Sequence, residues 1–258
     1  MSAGKAGVSH QSTVDVRCYH SYMPTRRQIL AALLGLAAAA TFVRLGFWQL
    51  DRLKQRRLAN DLKITRMIAP PAGPFSMIAG ARRWRPVRAV GTFDFDHQVV
   101  ITGESHDGAP GVYIITPFTV EPSNRVVLVN RGWVYSPDAQ TVEVGQFGEP
   151  PHQLLNGYVE EFVTDGQGPS RAASNATAFR RMDARELPKA FPYPIAMFYI
   201  VAQRDSSAAP APGAPVRLPP PSLDEGPHLN YAIQWFAFAL IAIVGASVMI
   251  HRERRTPG

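Results

Sequence analysis

His228, Tyr231 and Trp235 stand at helical spacing, so on a helix they share one face and present an imidazole, a phenol and an indole together. An imidazole so placed can ligate a metal or carry a proton. Pro227 suits a first helical turn, and Asp224 and Glu225 just upstream complement the positive end of a helix dipole. The same dipole disfavours an imidazolium, which biases His228 towards the neutral, metal-binding form. Asn230 and Gln234 make a second pair at i and i+4, polar groups that should seek a partner rather than lipid. In the first part of the chain Trp48 and Arg52 have that spacing too. An interfacial belt, with Trp, Tyr and His at head-group level, explains the same residues, so spacing alone leaves both readings open.

The elements that must position these residues are two apolar segments at opposite ends of the chain, 29–50 and 228–250. A bilayer core of ~30 Å takes about 20 helical residues. Residues 231–250 carry no formal charge and meet that length; residues 29–43 are uncharged, and Arg44 interrupts before 45–50. An arginine there can snorkel, its stem in lipid and its head at the surface. Arg26 and Arg27 before an alanine-rich stretch also suit a cleaved signal peptide. The apolar run outlasts the ~7–15 residues of such a core, however, and no small-x-small site follows it, so an uncleaved anchor is expected.

Cationic flanks give the orientation. Arg252, Arg254 and Arg255 favour a cytoplasmic C-terminus, whereas Arg26 and Arg27 are opposed by Arg52, Lys54, Arg56 and Arg57 across the first segment. Two spans place both termini on one side, so the second segment decides: termini cytoplasmic, residues 51–228 outside. The net charge of +7 clusters at these membrane edges, where anionic lipid accounts for it without nucleic acid. The single cysteine, Cys18, precedes the first segment, leaving the outer region without disulfides or a thiolate pair for copper.

Between the segments, alternating β-branched and aromatic residues predict strands at 87–93, 98–103, 113–120, 125–130, 154–162 and 197–203, with a helix over 56–68 stopped by Pro70-Pro71. Residues 184–187 are too short for more than one helical turn. The fold class expected is an α+β membrane protein: two transmembrane helices at the chain ends flanking an exported antiparallel β-rich domain, a barrel or sandwich. The divisions read from sequence are a cytoplasmic tail without order (1–28), helix one (29–50), the β domain (51–203), a proline-rich tether (204–227), helix two (228–250) and a basic tail (251–258). Seven prolines between 204 and 227 predict an extended, semi-rigid tether that buries no core.

Inside the β domain no nucleophile elbow, zinc-protease motif, phosphate loop or Cys-x-x-Cys occurs. Ser105-His106-Asp107 has triad residue types, but neighbours on one turn cannot adopt triad geometry, so a solvated turn is expected. His10, His97 and His152 are scattered. Arg131-Gly132-Trp133 ends the apolar run Val126-Val127-Leu128-Val129. Either it is a strand end, with Gly132 permitting a bulge and Trp133 capping the core, or Arg131 and Trp133 form an edge that contacts a partner.

Three ordered motifs carry a family resemblance. Gly46-x-Trp48-Gln49-Leu50-x-Arg52, Val129-Asn130-Arg131-Gly132-Trp133-Val134 and His228-Leu229-x-Tyr231-Ala232-x-Gln234-Trp235-Phe236 resemble the signatures of the surfeit locus protein 1 family. Gly111-Val112-Tyr113 and Thr116-Pro117-Phe118 also fit, and the likeness covers nearly all of residues 29–250. The resemblance implies a non-enzymatic, membrane-anchored assembly factor for haem–copper cytochrome c oxidase. Bacterial relatives are associated with haem a and its delivery to, or stabilisation in, the catalytic subunit. The family's haem-associated histidine corresponds to His228. On that reading His228 would ligate the iron, Trp48, Tyr231 and Trp235 would line the site, and Arg52 would meet a propionate. The β domain would dock the oxidase subunit, haem a synthase would be a second partner, and the lipid bilayer the setting. A bacterial plasma membrane, with the central domain periplasmic or extracellular, is favoured over the mitochondrial inner membrane. The rivals are an assembly scaffold without cofactor, a tethered envelope hydrolase, which needs a nucleophile and base that meet only in three dimensions, and copper delivery, for which ligands are lacking.

Overall fold

The computed structural model describes residues 25–172, 175–204 and 213–253. Cys18, His10, Arg254, Arg255 and the 1–24 part of the N-terminal tail lie outside them. The chain divides into two units, one holding residues up to Leu53 together with those from Pro227 onward, the other Lys54–Gly226.

The first unit is a helix pair. Helix α1 spans Arg26–Met67 and α2 spans His228–Glu253. Thr25 and Gln28 cap α1 reciprocally: Thr25 Oγ1 accepts from the Gln28 amide at 3.3 Å, and Gln28 Oε1 accepts from the Thr25 amide at 3.0 Å. This satisfies donors that the first turn leaves open, so the helix begins three residues before the apolar run. Pro70 and Pro71 lie just beyond its end, where a helix cannot easily continue. Both helices are long and apolar enough to cross a membrane, and only 11 % and 6 % of their most apolar stretches is buried, unlike the core helix of a soluble domain. Within the pair, Ala39, Gly46, Gln49 and Leu53 of α1, spaced seven, three and four residues apart, face α2, which answers with Ala232, Trp235 and Ala239. A Cβ on Gly46 would stand 2.6 Å from the Phe236 ring, and one on Gly35 2.6 Å from Ala246 Cβ. Close approach of the two helices therefore depends on these glycines.

The second unit is a mixed β-barrel. Strands β1 (Pro86–Phe93), β2 (Val99–His106), β3 (Ala109–Val120), β4 (Arg125–Tyr135), β5 (His152–Glu160), β6 (Ala178–Phe179) and β7 (Ile195–Ala202) form one sheet in the order β1-β5-β7-β4-β3-β2-β6. The additional β1–β3 pairing, Gly91 with Val120 through Phe93 with Phe118, closes five strands into a ring. β3 is long enough to share one edge, pairing with β2 along one half and with β1 along the other. The barrel flanked by terminal helices is the fold class expected. Its sheet is not wholly antiparallel, because β7 runs parallel to β4 and β6 parallel to β2. Residues 136–194, which include the whole of β5, connect the parallel strands β4 and β7 and exceed the length that a parallel connection requires.

Two apolar layers stabilise the barrel. Val87, Phe93, Phe118, Val127, Leu155 and Phe198 fill one face of the sheet; Ile101, Ile115, Leu128 and Phe179 pack on the other beneath Phe162, Leu187 and Phe191. After β4, Asp138 organises a tight turn. Its carboxylate accepts from Ser136 Oγ at 2.7 Å, from the amides of Gln140 and Thr141 at 2.9 Å each, and from Thr141 Oγ1. The Thr141 hydroxyl and amide, with Ser136 and Gln140, hold this carboxyl well below the usual carboxylate range. A carboxyl depressed in the folded state stabilises above its unfolded pKa, about 4, and loses that contribution as pH falls towards the folded value. Asp138→Asn is therefore expected to flatten the fall of Tm between about pH 4 and pH 2, as measured by circular dichroism. An unchanged slope would show that the turn contributes nothing to acid sensitivity.

Candidate functional site

The polar and aromatic residues at the ends of α1 and α2 meet across the helix seam. His228 opens α2, with the Pro227 carbonyl accepting the Tyr231 amide at 3.1 Å. Its Nδ1 lies 2.9 Å from Oε1 of Gln49, a side chain only 9 % exposed within the seam. The His228 ring itself is half-buried. Phe47 and Phe236 pack edge to face, centroids 5.5 Å apart, on one flank of the seam. In an antiparallel pair at about 100° per residue, Trp48, Arg52 and Tyr231 project from the opposite flank. Trp48 and Tyr231 are 43 % and 46 % exposed there, and the Arg52 guanidinium carbon lies 5.6 Å from the centre of the Trp48 ring. Trp235 leans to the same flank but is committed to packing, stacked on Phe42 at 5.7 Å and edge-on to Phe238 at 5.9 Å.

His228, Trp48, Arg52, Tyr231 and Trp235 thus lie on one helix pair, with Trp235 two turns along α2 from His228. Gln49, named in the sequence only as part of a motif, is the residue that touches His228. Its signal was an amide in an apolar segment, one position from Trp48. Asn230 and Gln234, singled out as the polar pair of α2, are instead exposed.

Arg131 and Trp133 have a different setting. The β3–β4 register skips one residue between Ile114–Gly132 and Ile115–Asn130, so Arg131 is the extra residue of a bulge. Its side chain is completely buried. Nε donates to Glu149 Oε2 at 2.7 Å, Nη1 to Gln98 Oε1 at 2.8 Å and Nη2 to the Phe147 carbonyl, while the rings of Phe93 and Phe95 lie 5.7 and 5.0 Å from its carbon. Burial pushes this guanidinium below its ordinary pKa and Glu149 opposes the shift. Trp133 is 8 % exposed. Arg131 is wholly buried and Trp133 nearly so, which offers no exposed edge to a partner; the bulge at Gly132 is present, but it lies within β4, which runs on to Tyr135, rather than at a strand end.

The tether also differs from its expectation. Val216 exchanges backbone hydrogen bonds with Trp133, both at 2.8 Å, and Arg217 reaches Glu149 and the Arg131 carbonyl. Gly132, at φ +128°, admits this strap: a Cβ there would stand 2.2 Å from the Val216 carbonyl oxygen. Farther on, Asn60 donates to the Leu223 carbonyl at 2.7 Å and Arg57 forks onto Glu225 at 2.9 Å. The stretch 213–226 is fastened at both ends, through Val216 and Arg217 and through Leu223 and Glu225.

His97, His106 and His152 each face a different carboxylate at partly or largely exposed positions: Asp94 at 2.7 Å, Asp107 at 3.6 Å and Glu121 at 3.3 Å. Ser105 and His106 end β2, paired with Pro110 and Ala109 of β3, and Asp107 opens the hairpin turn, with His106 against the Trp133 ring. Each of these three histidines is thus paired with its own carboxylate, and the three do not gather at one place. Among the described residues no three His, Cys, Asp or Glu side chains gather as a metal site.

A model of the SURF1 family matches residues 36–240, a range that takes in the inner ends of both helices and the whole barrel. The chain belongs to the SURF1 family. That family is associated with cytochrome oxidase assembly. Among similar proteins, a SURF1-like protein of Rickettsia felis is 25% identical over 215 residues, covering 82% of this chain and 93% of its own. One of Rickettsia prowazekii is 27% identical over 202 residues, covering 78% and 81%. One of Monosiga brevicollis is 29% identical over 225 residues, covering 77% and 79%.

Proposed function

We propose that this SURF1-family chain is a membrane-anchored assembly factor for haem–copper cytochrome c oxidase that holds haem a as cargo for the catalytic subunit. The observation that carries the reading is the flank of the helix seam, where a half-buried imidazole lies beside exposed indole and phenol rings and a guanidinium. Those residue types fit the cargo, an apolar macrocycle whose iron takes an axial nitrogen and whose edge carries carboxylates. With Nδ1 engaged by Gln49, His228 has Nε2 left for iron. Trp48 and Tyr231 offer flat apolar surface, Arg52 a partner for a propionate, and Trp235 a rigid wall fixed by Phe42 and Phe238. The work is carriage and hand-over rather than turnover.

In this proposal both helices span a bacterial plasma membrane with the termini cytoplasmic. The barrel stands on the outer side, where its surface docks the oxidase subunit; haem a synthase is the source of the cargo. Deletion of the gene, followed by reduced-minus-oxidised spectra of the membranes, tests the assembly role. The expected result is loss of most of the haem a signal of the oxidase, restored by the wild-type gene. Normal haem a content and normal oxidase activity in the deletion strain would refute it.

A further inference from the structure

We infer that Gln49 is a positioning residue: it fixes His228 as the Nδ1–H tautomer and thereby selects Nε2 as the nitrogen offered to the cargo. The inference deepens the haem-carrier reading and rests on it for its purpose, although the tautomer is a property of the helix pair alone.

The geometry points to this from both sides of the seam. Gln49 Oε1, an acceptor, lies 2.9 Å from Nδ1, so that nitrogen carries the proton and the lone pair moves to Nε2. Gln49 is 9 % exposed, and a buried amide is costly to leave unpaired, so the contact is enforced rather than incidental. The backbones that hold it are tightly seated. Gly46, one turn before Gln49, lies against the Phe236 ring; Leu53, one turn after it, is buried, as is Ala232, one turn beyond His228. A ligating histidine generally donates its other ring N–H to a fixed acceptor, which sets its orientation and basicity. Here the acceptor is a neutral amide from the partner helix, so the choice of ligand nitrogen depends on the pairing of the helices that brings Gln49 to His228.

The test uses the full chain in detergent, free of haem, with ring-15N-labelled histidine at about pH 8, where imidazoles are neutral. The His228 signals are assigned by their loss in His228→Gln. The expected spectrum shows His228 as Nδ1–H in the wild type. In Gln49→Leu it should revert to the Nε2–H form that unconstrained imidazoles favour, and in Gln49→Glu, which keeps an acceptor, it should remain Nδ1–H. Wild-type His228 in the Nε2–H form would overturn the inference, since the amide would then present its nitrogen to Nδ1. So would an unchanged Nδ1–H signal in a folded Gln49→Leu. Should Gln49→Leu fail to fold, the wild type and Gln49→Glu still decide.

Titration with hemin, read at the Soret band, separates the two levels of the argument. Gln49→Leu is expected to bind about 10–100-fold more weakly than wild type, and Gln49→Glu to stay close to it. Absence of binding by the wild type would defeat the carrier reading while leaving the tautomer result standing. Equal binding by wild type and Gln49→Leu would defeat the positioning role while leaving the carrier reading standing.

Discussion

An Arg131→Met protein is expected to lose about 3–5 kcal/mol of stability, the usual cost of removing one partner from a buried, hydrogen-bonded ion pair. The guanidinium is fully buried and Glu149 is 5 % exposed, so water cannot replace the lost contact. Removing the cation leaves the Glu149 carboxylate with Arg217, whose side chain is 20 % exposed, and leaves the Gln98 amide oxygen and the Phe147 carbonyl without a donor they now have. At about 2–4 °C per kcal/mol for a chain of this size, Tm should fall by roughly 10 °C. Glu149→Gln should act similarly, because one carboxylate holds both Arg131 and Arg217. Thermal unfolding of the full chain in detergent provides the measurement. A Tm within a degree or two of wild type would mean that the network is a by-product of packing. With the expected drop in Tm, loss of oxidase assembly in either variant reads as loss of fold, not of a docking surface.

The second large effect concerns His228. When the chain is purified after co-production with a haem a synthase, His228→Ala is expected to retain at least about tenfold less haem than wild type, judged by the Soret band. The substitution removes the His228 imidazole from the seam flank and frees the buried Gln49 amide, so its Tm should drop only modestly beside that of Arg131→Met. The two variants thus separate along different axes: one keeps the barrel and loses cargo, the other loses the barrel. A Soret band that survives His228→Ala unchanged would remove His228 as ligand. No band even in the wild type would favour a scaffold without cofactor.

The parts of this molecule that were legible in sequence are those with a short-range period. Six strands announced themselves because their alternating residues face core and solvent in turn. β6, only Ala178–Phe179, is too short to show a period. The parallel partner of β4 was not readable either, since alternation says which face is buried and nothing about the direction of the neighbour. Composition marked the proline-rich stretch as coreless but carried no sign that Val216 and Arg217 clasp the β4 bulge. The same holds for charge. An arginine before a glycine at a strand end resembles an exposed clamp until Glu149, 18 positions on, and Arg217, 86 positions on, are seen to meet it. At the helix ends, His228, Trp48, Arg52, Tyr231 and Trp235 were visible from spacing and motif. The bond to Gln49 was not, since 179 positions separate the partners and no local rule spans that distance.

The place of β7 in the ring has a consequence for how the chain is made. Synthesis runs from the N-terminus, and β7 is the last strand, yet it lies between β4 and β5 and closes them together. Until residues 195–202 emerge, β4 and β5 each present a bare edge, the kind of surface on which strands of other chains add. Closure draws together segments made far apart in time, which slows folding and prolongs that exposure. The strap with Val216 and Arg217 follows within about twenty residues and covers the β4 bulge, so the chain completes its barrel and fastens it just before the second apolar helix is made. A ribosome stalled in α2 would already hold a finished barrel; one stalled before residue 195 would hold an open, adhesive sheet.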